Sequence, residues 1–309
     1  MLDLILDSLR VISLPTKTNF RGINHREVAL FQGPQGWAEF SPFLEYSDEE
    51  SARWLACAIE AATQELPKLY RTSVGVNATM PALNDESEVT RILAGFPGCT
   101  TVKIKVGAND EEDLARIALV RKLSPQFKIR IDVNGLWSVN RAVKFLDLCG
   151  EIEYVEQPCA TVAELRELKS RVDVKIVGDE ILRKSENPFE VDLHGAIDIL
   201  MLKVQPLGGI RNAHALAAHH KLPVVVSSAL ESAVGINYGL TLAASFEELS
   251  YDCGLATGSL LAKNVADSEI ADGKMQIKRV EPSFNGLEVS ADRFDWWKNR
   301  IMRTAALLG

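Results

Sequence analysis

A chain of 309 residues is too long for one small domain and long enough to bury a core without disulfide or metal staples. Hydrophobic residues make up 47% and charged residues 25%, the balance of a globular enzyme rather than of a disordered chain. A net charge of -8 argues against nucleic acid or an anionic membrane as partner, and no apolar run approaches the ~18 residues of a membrane span. The five cysteines are scattered and none stands in a C-x-x-C pair, which fits free thiols in a reducing, cytoplasmic setting and argues against a zinc knuckle.

The opening MLDLILDSLRVISLP has no basic leader and reads as the approach to a first strand. RVISL, REVALF and WAEFSPF have strand composition and predict a β-meander, with the polar stretch TKTNFRGINH as a mobile loop between the first two. Ser47 and Glu50 match a capping box and predict a helix that runs to Leu66, where Pro67 stops it.

From about residue 73, short β-branched segments recur at 22 to 27 residues, starting near 74, 101, 128, 153, 175, 199 and 223. Helical patterns such as DLARIALVRKL and IRNAHALAAHH lie between them. Strand and helix alternating at this period predict repeated βαβ units, and this many units fit a (β/α) TIM-type barrel. After about Ala266 the rhythm stops, and IADGKMQIKRVEP with LEVSADRFDWWKNRI predicts a short strand pair and a terminal segment. The expected organisation is α/β: an N-terminal capping domain (1–72), a barrel (73–265) and a C-terminal segment (266–309) packed back on the cap, making one α+β unit from both chain ends.

A barrel places its chemistry at the C-terminal ends of its strands. Lys103 and Lys105 stand two apart on TVKIKVG, and so face the same side. Arg130, Asp132 and Asn134 share a face by the same rule. Glu156 ends the next strand, Asp179 the one after, and Lys203 the one after that. Asp132 to Glu156 is 24 residues and Glu156 to Asp179 is 23, one βα unit each, so three carboxylates are expected to converge on one point. Left alone they would repel; a hard divalent cation, Mg²⁺ with Mn²⁺ as substitute, resolves that. Lys105 and Lys203 flank the carboxylates from opposite sides, and an ammonium at Lys103 favours the proton-accepting form of its neighbour, making Lys105 the expected general base. Taken singly, each residue is an ordinary solvated strand end; six at barrel-unit spacing are not. Glu180 is expected to point away from the site, and the Gly208–Gly209 pair reads as a tight turn into a helix.

K-I-K, D-V-N, E-Q-P, G-D-E and L-K-V-Q, in this order, resemble the enolase superfamily, in its muconate-lactonising branch. VNATMPA, SSALESAVG, CGLATGSLL and the loop NFRGINHRE are similar to the o-succinylbenzoate synthase family, over nearly the whole chain. The resemblance implies Mg²⁺ on Asp132, Glu156 and Asp179, Lys105 as acid/base and Lys203 as a cation on the opposite face. It implies syn-dehydration of 2-succinyl-6-hydroxy-2,4-cyclohexadiene-1-carboxylate to 2-succinylbenzoate and water, in menaquinone biosynthesis. Ser227, Ser228 and Gly254 would line the substrate cavity, the backbone N–H groups between Ser227 and Gly235 would take the succinyl carboxylate, and Arg21 and Gly22 would fold over it. Arg130 would face the same cavity or serve as an ion-pair partner inside the barrel. The competing readings are an N-succinylamino-acid racemase or dipeptide epimerase on the same residues, and a catalytically silent barrel scaffold. The expected partner is a small carboxylate, and the expected assembly a monomer or small homo-oligomer.

Overall fold

The computed structural model describes residues 2–309. Helix α1 (Leu2–Ser8) precedes an antiparallel meander of β1 (Arg10–Phe20), β2 (Ile23–Gly33) and β3 (Gly36–Phe40), followed by α2 (Asp48–Thr63). Next come β4 (Ser73–Gly75), β5 (Ala78–Met80), α3 (Glu86–Leu93), β6 (Thr101–Lys105), α4 (Asp110–Leu123), β7 (Lys128–Asp132), α5 (Val139–Leu148) and β8 (Tyr154–Glu156). The alternation continues with α6 (Val162–Lys169), β9 (Ile176–Gly178), α7 (Glu180–Arg183), β10 (Ile199–Lys203), α8 (Ile210–His220), β11 (Val224–Ser227) and α9 (Ala233–Ala244). A 3₁₀ turn (Ala256–Leu260), β12 (Lys274–Gln276) and α10 (Ala291–Ala306) end the chain.

Strands β5 to β11 form one parallel sheet of seven in sequential order, the signature of a curled βα barrel. Its two edges are joined by Cys253, which bridges Val76, and Gly254, which bridges Ser227, both in parallel. Alternate residues on each strand face opposite ways. Val102, Ile104, Ile131, Leu200 and Leu202 pack under the helices, while Tyr154, Val177, Ile199, Met201 and Val225 fill the interior. Arg130 belongs to this interior. It is wholly buried, with Nε donating to Glu153 at 2.6 Å and Nη1 to Asn77 at 3.0 Å, below the mouth.

Four expectations are corrected. Residues 2–8 are a helix, not a strand approach: Leu2, Ile5 and Leu6 lie at helical spacing on the capping core. The stretch 16–25 is no loop. β1 and β2 extend through it into a long hairpin whose turn is Arg21 and Gly22, at φ +54° and +80°. Only half of the capping box forms, Ser47 Oγ accepting from Glu50 N, and α2 stops at Thr63 because Gln64 is extended. The C-terminal strands do not pair with each other. β12 pairs with β4 at the start of the barrel, Glu288 bridges Ile12, and the last segment is the sixteen-residue helix α10.

Helix α10 packs on α2, β1 and α1, so both chain ends share one apolar core around Phe31, Phe40, Trp54 and Trp297. Residues 274–276 lie against β4 at the start of the barrel rather than in this core. The two units are clasped by carboxylates set on helix N-termini, where unpaired N–H groups and the helix dipole favour an anion. Glu60 of α2 accepts from Ile210 N, at the start of α8, at 2.6 Å and from Tyr238 Oη at 2.7 Å. Gly209, at φ +117°, makes the room, since a Cβ there would lie 2.5 Å from the Glu60 carboxylate. Gly208 and Gly209 are thus the tight turn expected, and no helix among the described residues is long and apolar enough to cross a membrane. Glu60→Ala is expected to destabilise the fold by about 1–3 kcal/mol, measured by urea unfolding, through loss of the cap and of the Tyr238 acceptor.

Candidate active site

The C-terminal ends of the barrel strands open into a cavity of about 430 Å³, roofed by the β1–β2 hairpin and the segment before α2. Lys105, Asp132 and Glu156 stand level on neighbouring strands: Lys105 is paired in register with Asp132, and Asp132 with Glu156. Lys103, Lys105, Asp132, Asn134 and Lys203 line the cavity, with Arg21, Ser227, Ser228 and Gly254. Arg130 and Gly22 do not reach it; the guanidinium of Arg130 is spent inside the barrel, and Gly22 serves the hairpin turn.

The expected convergence of three bare carboxylates is not what the structure shows. Among the described residues no group of three or more His, Cys, Asp or Glu side chains stands close enough to hold a metal. Lysines stand between the carboxylates instead, because adjacent anions repel and each draws in the nearest cation. Lys103 Nζ lies 2.7 Å from Glu156 Oε2 and 4.0 Å from Asp132 Oδ2. Lys203 Nζ lies 2.6 Å from Asp179 Oδ2 and 3.9 Å from Glu156 Oε1. Lys105 Nζ is 3.7 Å from Asp132 Oδ1 and has no hydrogen-bond partner.

Burial opposes the charge on each of these groups, and their partners decide the outcome. Burial works against the Lys103 ammonium, but Glu156 and Asp132 hold its proton far more tightly than usual. Asp179 is kept well below the usual carboxylate range against its burial, first by Arg183 and then by Lys203. Burial would raise Asp132, yet Lys105 and Lys103 bring it below its ordinary value. Glu156 is pushed up by complete burial, against the pull of Lys103, and its Oε1 is left without a hydrogen-bond partner.

The three carboxylates are not gathered on one point here, but their all-oxygen chemistry, with Glu156 Oε1 buried and unpartnered, is the kind that suits a hard divalent cation.

Three residues outside the expected site complete the mouth. Asp179 ends its strand by starting α7, so strand alternation no longer applies, and Glu180 turns into the cavity rather than away. Its Oε1 accepts from Asn134 Nδ2 at 2.9 Å and from Arg183 Nη2 at 2.6 Å. Arg183 also reaches Asp179 Oδ1 at 3.1 Å, and the i,i+4 spacing of Asp179 and Arg183 was the one legible signal. Tyr46 gave none: its hydroxyl accepts from Arg183 at 3.2 Å and from Arg21 at 2.9 Å, linking segments far apart in the chain.

The N-terminus of α9 is not free for a substrate carboxylate, contrary to expectation. Glu39 of β3 occupies it, accepting from Ser232 N at 3.1 Å and Gly235 N at 3.0 Å, while Ala233 N is taken by Asn264. The Ser228 hydroxyl is likewise committed, to Gly254 O at 2.6 Å and Thr257 Oγ1 at 2.8 Å. The Arg21 guanidinium lies 4.0 Å from the centre of the Phe43 ring.

This architecture has known counterparts. Residues 88–292 match the Enolase C-terminal domain-like family and residues 11–62 the Enolase N-terminal domain-like family. The chain is 46% identical to the o-succinylbenzoate synthase of Mycobacterium ulcerans, over 98% of this chain and 95% of that one. It is 45% identical to the o-succinylbenzoate synthase of Mycolicibacterium smegmatis, over 99% and 98%. Among solved structures, the muconate lactonizing enzyme of Pseudomonas putida superposes with a TM-score of 0.73 at 20% identity, covering 93% of this chain and 97% of that one. The L-Ala-D/L-Glu epimerase of Bacillus subtilis superposes with a TM-score of 0.75 at 23% identity, covering 91% and 98%; at these identities the likeness speaks for the fold alone. The chain belongs to the enolase superfamily and, within it, to the o-succinylbenzoate synthase family.

Proposed function

We propose that the protein is an o-succinylbenzoate synthase, a lyase that removes water from 2-succinyl-6-hydroxy-2,4-cyclohexadiene-1-carboxylate to give 2-succinylbenzoate in menaquinone biosynthesis. The observation that carries this reading is the near full-length likeness to curated o-succinylbenzoate synthases, 46% identity over 98% of the chain. The five buried free thiols fit the reducing cytoplasm in which we place it.

Asp132, Glu156 and Asp179 would hold Mg²⁺, which when bound supplies Lewis-acid charge beside the substrate carboxylate. The residues of the chain do the proton work. Lys105 faces the cavity with an unpartnered Nζ, and is assigned as the base that takes the proton from the carbon bearing the carboxylate. The C–H electron pair moves toward the carboxylate, where the Lys203 ammonium adds positive charge from the opposite side of the mouth. Lys105 then returns the same proton to the departing hydroxyl; the C–O bond breaks, water leaves and the ring becomes aromatic. One base suffices because proton and hydroxyl leave from the same face.

The two lysines differ in their commitments. Lys203 is tied to Asp179 at 2.6 Å, whereas Lys105 makes no hydrogen bond. Lys103 is assigned a supporting role, its charge held by Glu156. Asn134, bonded to Glu180, and Ser227, Ser228, Gly254 and Arg21 are assigned to the cavity wall, while Arg130 and Gly22 are withdrawn from the substrate contacts.

The deciding assay is dehydration of the cyclohexadiene carboxylate with and without Mg²⁺; turnover that survives chelation, or racemisation of N-succinylamino acids at far higher kcat/KM, overturns the reading. Lys105→Ala is expected to lower kcat by about 10²–10⁴-fold or more while urea unfolding moves little, because the ammonium supports no packing. Asp179→Asn is expected to weaken Mg²⁺ by about tenfold or more in titration calorimetry and to lower activity with it.

A further inference from the structure

One wall of the cavity is made by consecutive residues, Ser227, Ser228, Ala229 and Leu230. Leu230 sits at φ +63°, a left-handed conformation that leucine rarely adopts and that must be held from outside. Three buried charged side chains hold it, and none of them lines the cavity. Glu231 Oε2 accepts from Ala229 N at 2.6 Å. Arg26, on β2, donates Nε to Leu230 O at 3.3 Å and stacks its guanidinium 4.2 Å from the centre of the Phe43 ring. Glu39, on β3, takes Ser232 N and Gly235 N just beyond. The backbone at 229, 230 and 232 is thus pinned by three ionisable groups, two of them from the capping unit.

The arrangement carries an electrostatic cost. Two carboxylates lie side by side in the interior, which is unfavourable by itself: burial, and then the proximity of Glu39, push Glu231 up to about 7. Gly235 makes room for both, since a Cβ there would stand 2.7 Å from Glu231 Cβ and 2.9 Å from Glu39 Cδ.

We propose that Arg26, Glu39 and Glu231 are positioning residues that fix the shape of the 228–231 wall, so that the capping unit sets how tightly the barrel holds its substrate. The proposal rests on the function given above only for the choice of substrate in the assay. It assigns these groups to binding rather than to proton transfer, so KM should respond and kcat should not. A purely structural role would lower stability and leave KM alone.

The test compares the full-length wild type with Glu231→Leu and Glu231→Gln in Mg²⁺, by steady-state kinetics on the cyclohexadiene carboxylate and by amide hydrogen exchange. The leucine variant is expected to raise KM about tenfold or more with kcat within about threefold, and to speed exchange at Ala229 about tenfold. The glutamine variant keeps an oxygen for Ala229 N–H and is expected to stay within about threefold of wild type in both. Mg²⁺ affinity is expected to be unchanged in either. A folded leucine variant with wild-type KM and exchange overturns the proposal, as does a fall in kcat alone. If the leucine variant does not fold, Glu39→Gln decides, with KM expected to rise about threefold or more at constant kcat and an unchanged KM overturning the assignment. If wild type itself does not dehydrate the substrate, the function reading fails, and exchange at Ala229 still decides the positioning role.

Discussion

Ions set inside a barrel lose their hydration, at several kcal/mol each unless an opposite charge and hydrogen bonds replace it. This chain places Asp132, Glu156 and Asp179 on three neighbouring strands, and the rest of the mouth follows from neutralising them. Lys103 and Lys203 reach across from flanking strands to Glu156 and Asp179, and Arg183 returns from the next helix to Asp179 and Glu180. Three cations, Lys103, Lys203 and Arg183, are thereby paired with the carboxylates of this set. The same pairing separates the lysines: two are committed to carboxylates by short ion pairs, and Lys105 is left facing the cavity without a hydrogen bond.

The capping unit is joined to the barrel by the same physics in reverse. At the mouth, anions recruit cations; on the flank, helix N-termini recruit anions. Glu60 sits on the start of α8 and Glu39 on the start of α9, in both cases with a glycine in the space a side chain would need. These two helices bracket β11, whose end forms one cavity wall, so the attachment of the cap and the shape of that wall are one structural matter. The α9 terminus, an inviting seat for a substrate carboxylate, is already filled from within the protein.

Much of this was legible in the sequence, and the limits have physical causes. The barrel showed itself through repeat length, since buried parallel strands are short apolar runs that local composition marks well. The carboxylates and lysines showed themselves because charge at a strand end is conspicuous and the unit spacing is nearly constant. The failures fall where a local rule gives way to its surroundings. Strand alternation placed Arg130 on the same face as Asp132 correctly, but could not say that depth along the barrel matters: two residues lower, the same face is filled by Glu153, Asn77 and the Tyr154 ring. Strand alternation sets Glu180 facing away, but a helix begins where the strand would continue. The hairpin at 16–25 reads as a loop because its strands are polar, as strands outside a core are free to be. Tyr46 and Arg26 were invisible because their partners lie far away in the chain.

The pairing at the mouth also bears on how one fold serves different reactions. Solved structures of a lactonizing enzyme and an epimerase share this architecture, so the barrel alone does not choose the chemistry. A reaction using both lysines as bases asks that Lys203 give up its hydrogen bond to Asp179. A reaction using one base asks only that the substrate arrive with its reactive face toward Lys105. The choice then passes from the charged residues to the walls that orient the substrate. In this protein one such wall is a strained backbone segment, held in place by side chains that never touch the cavity.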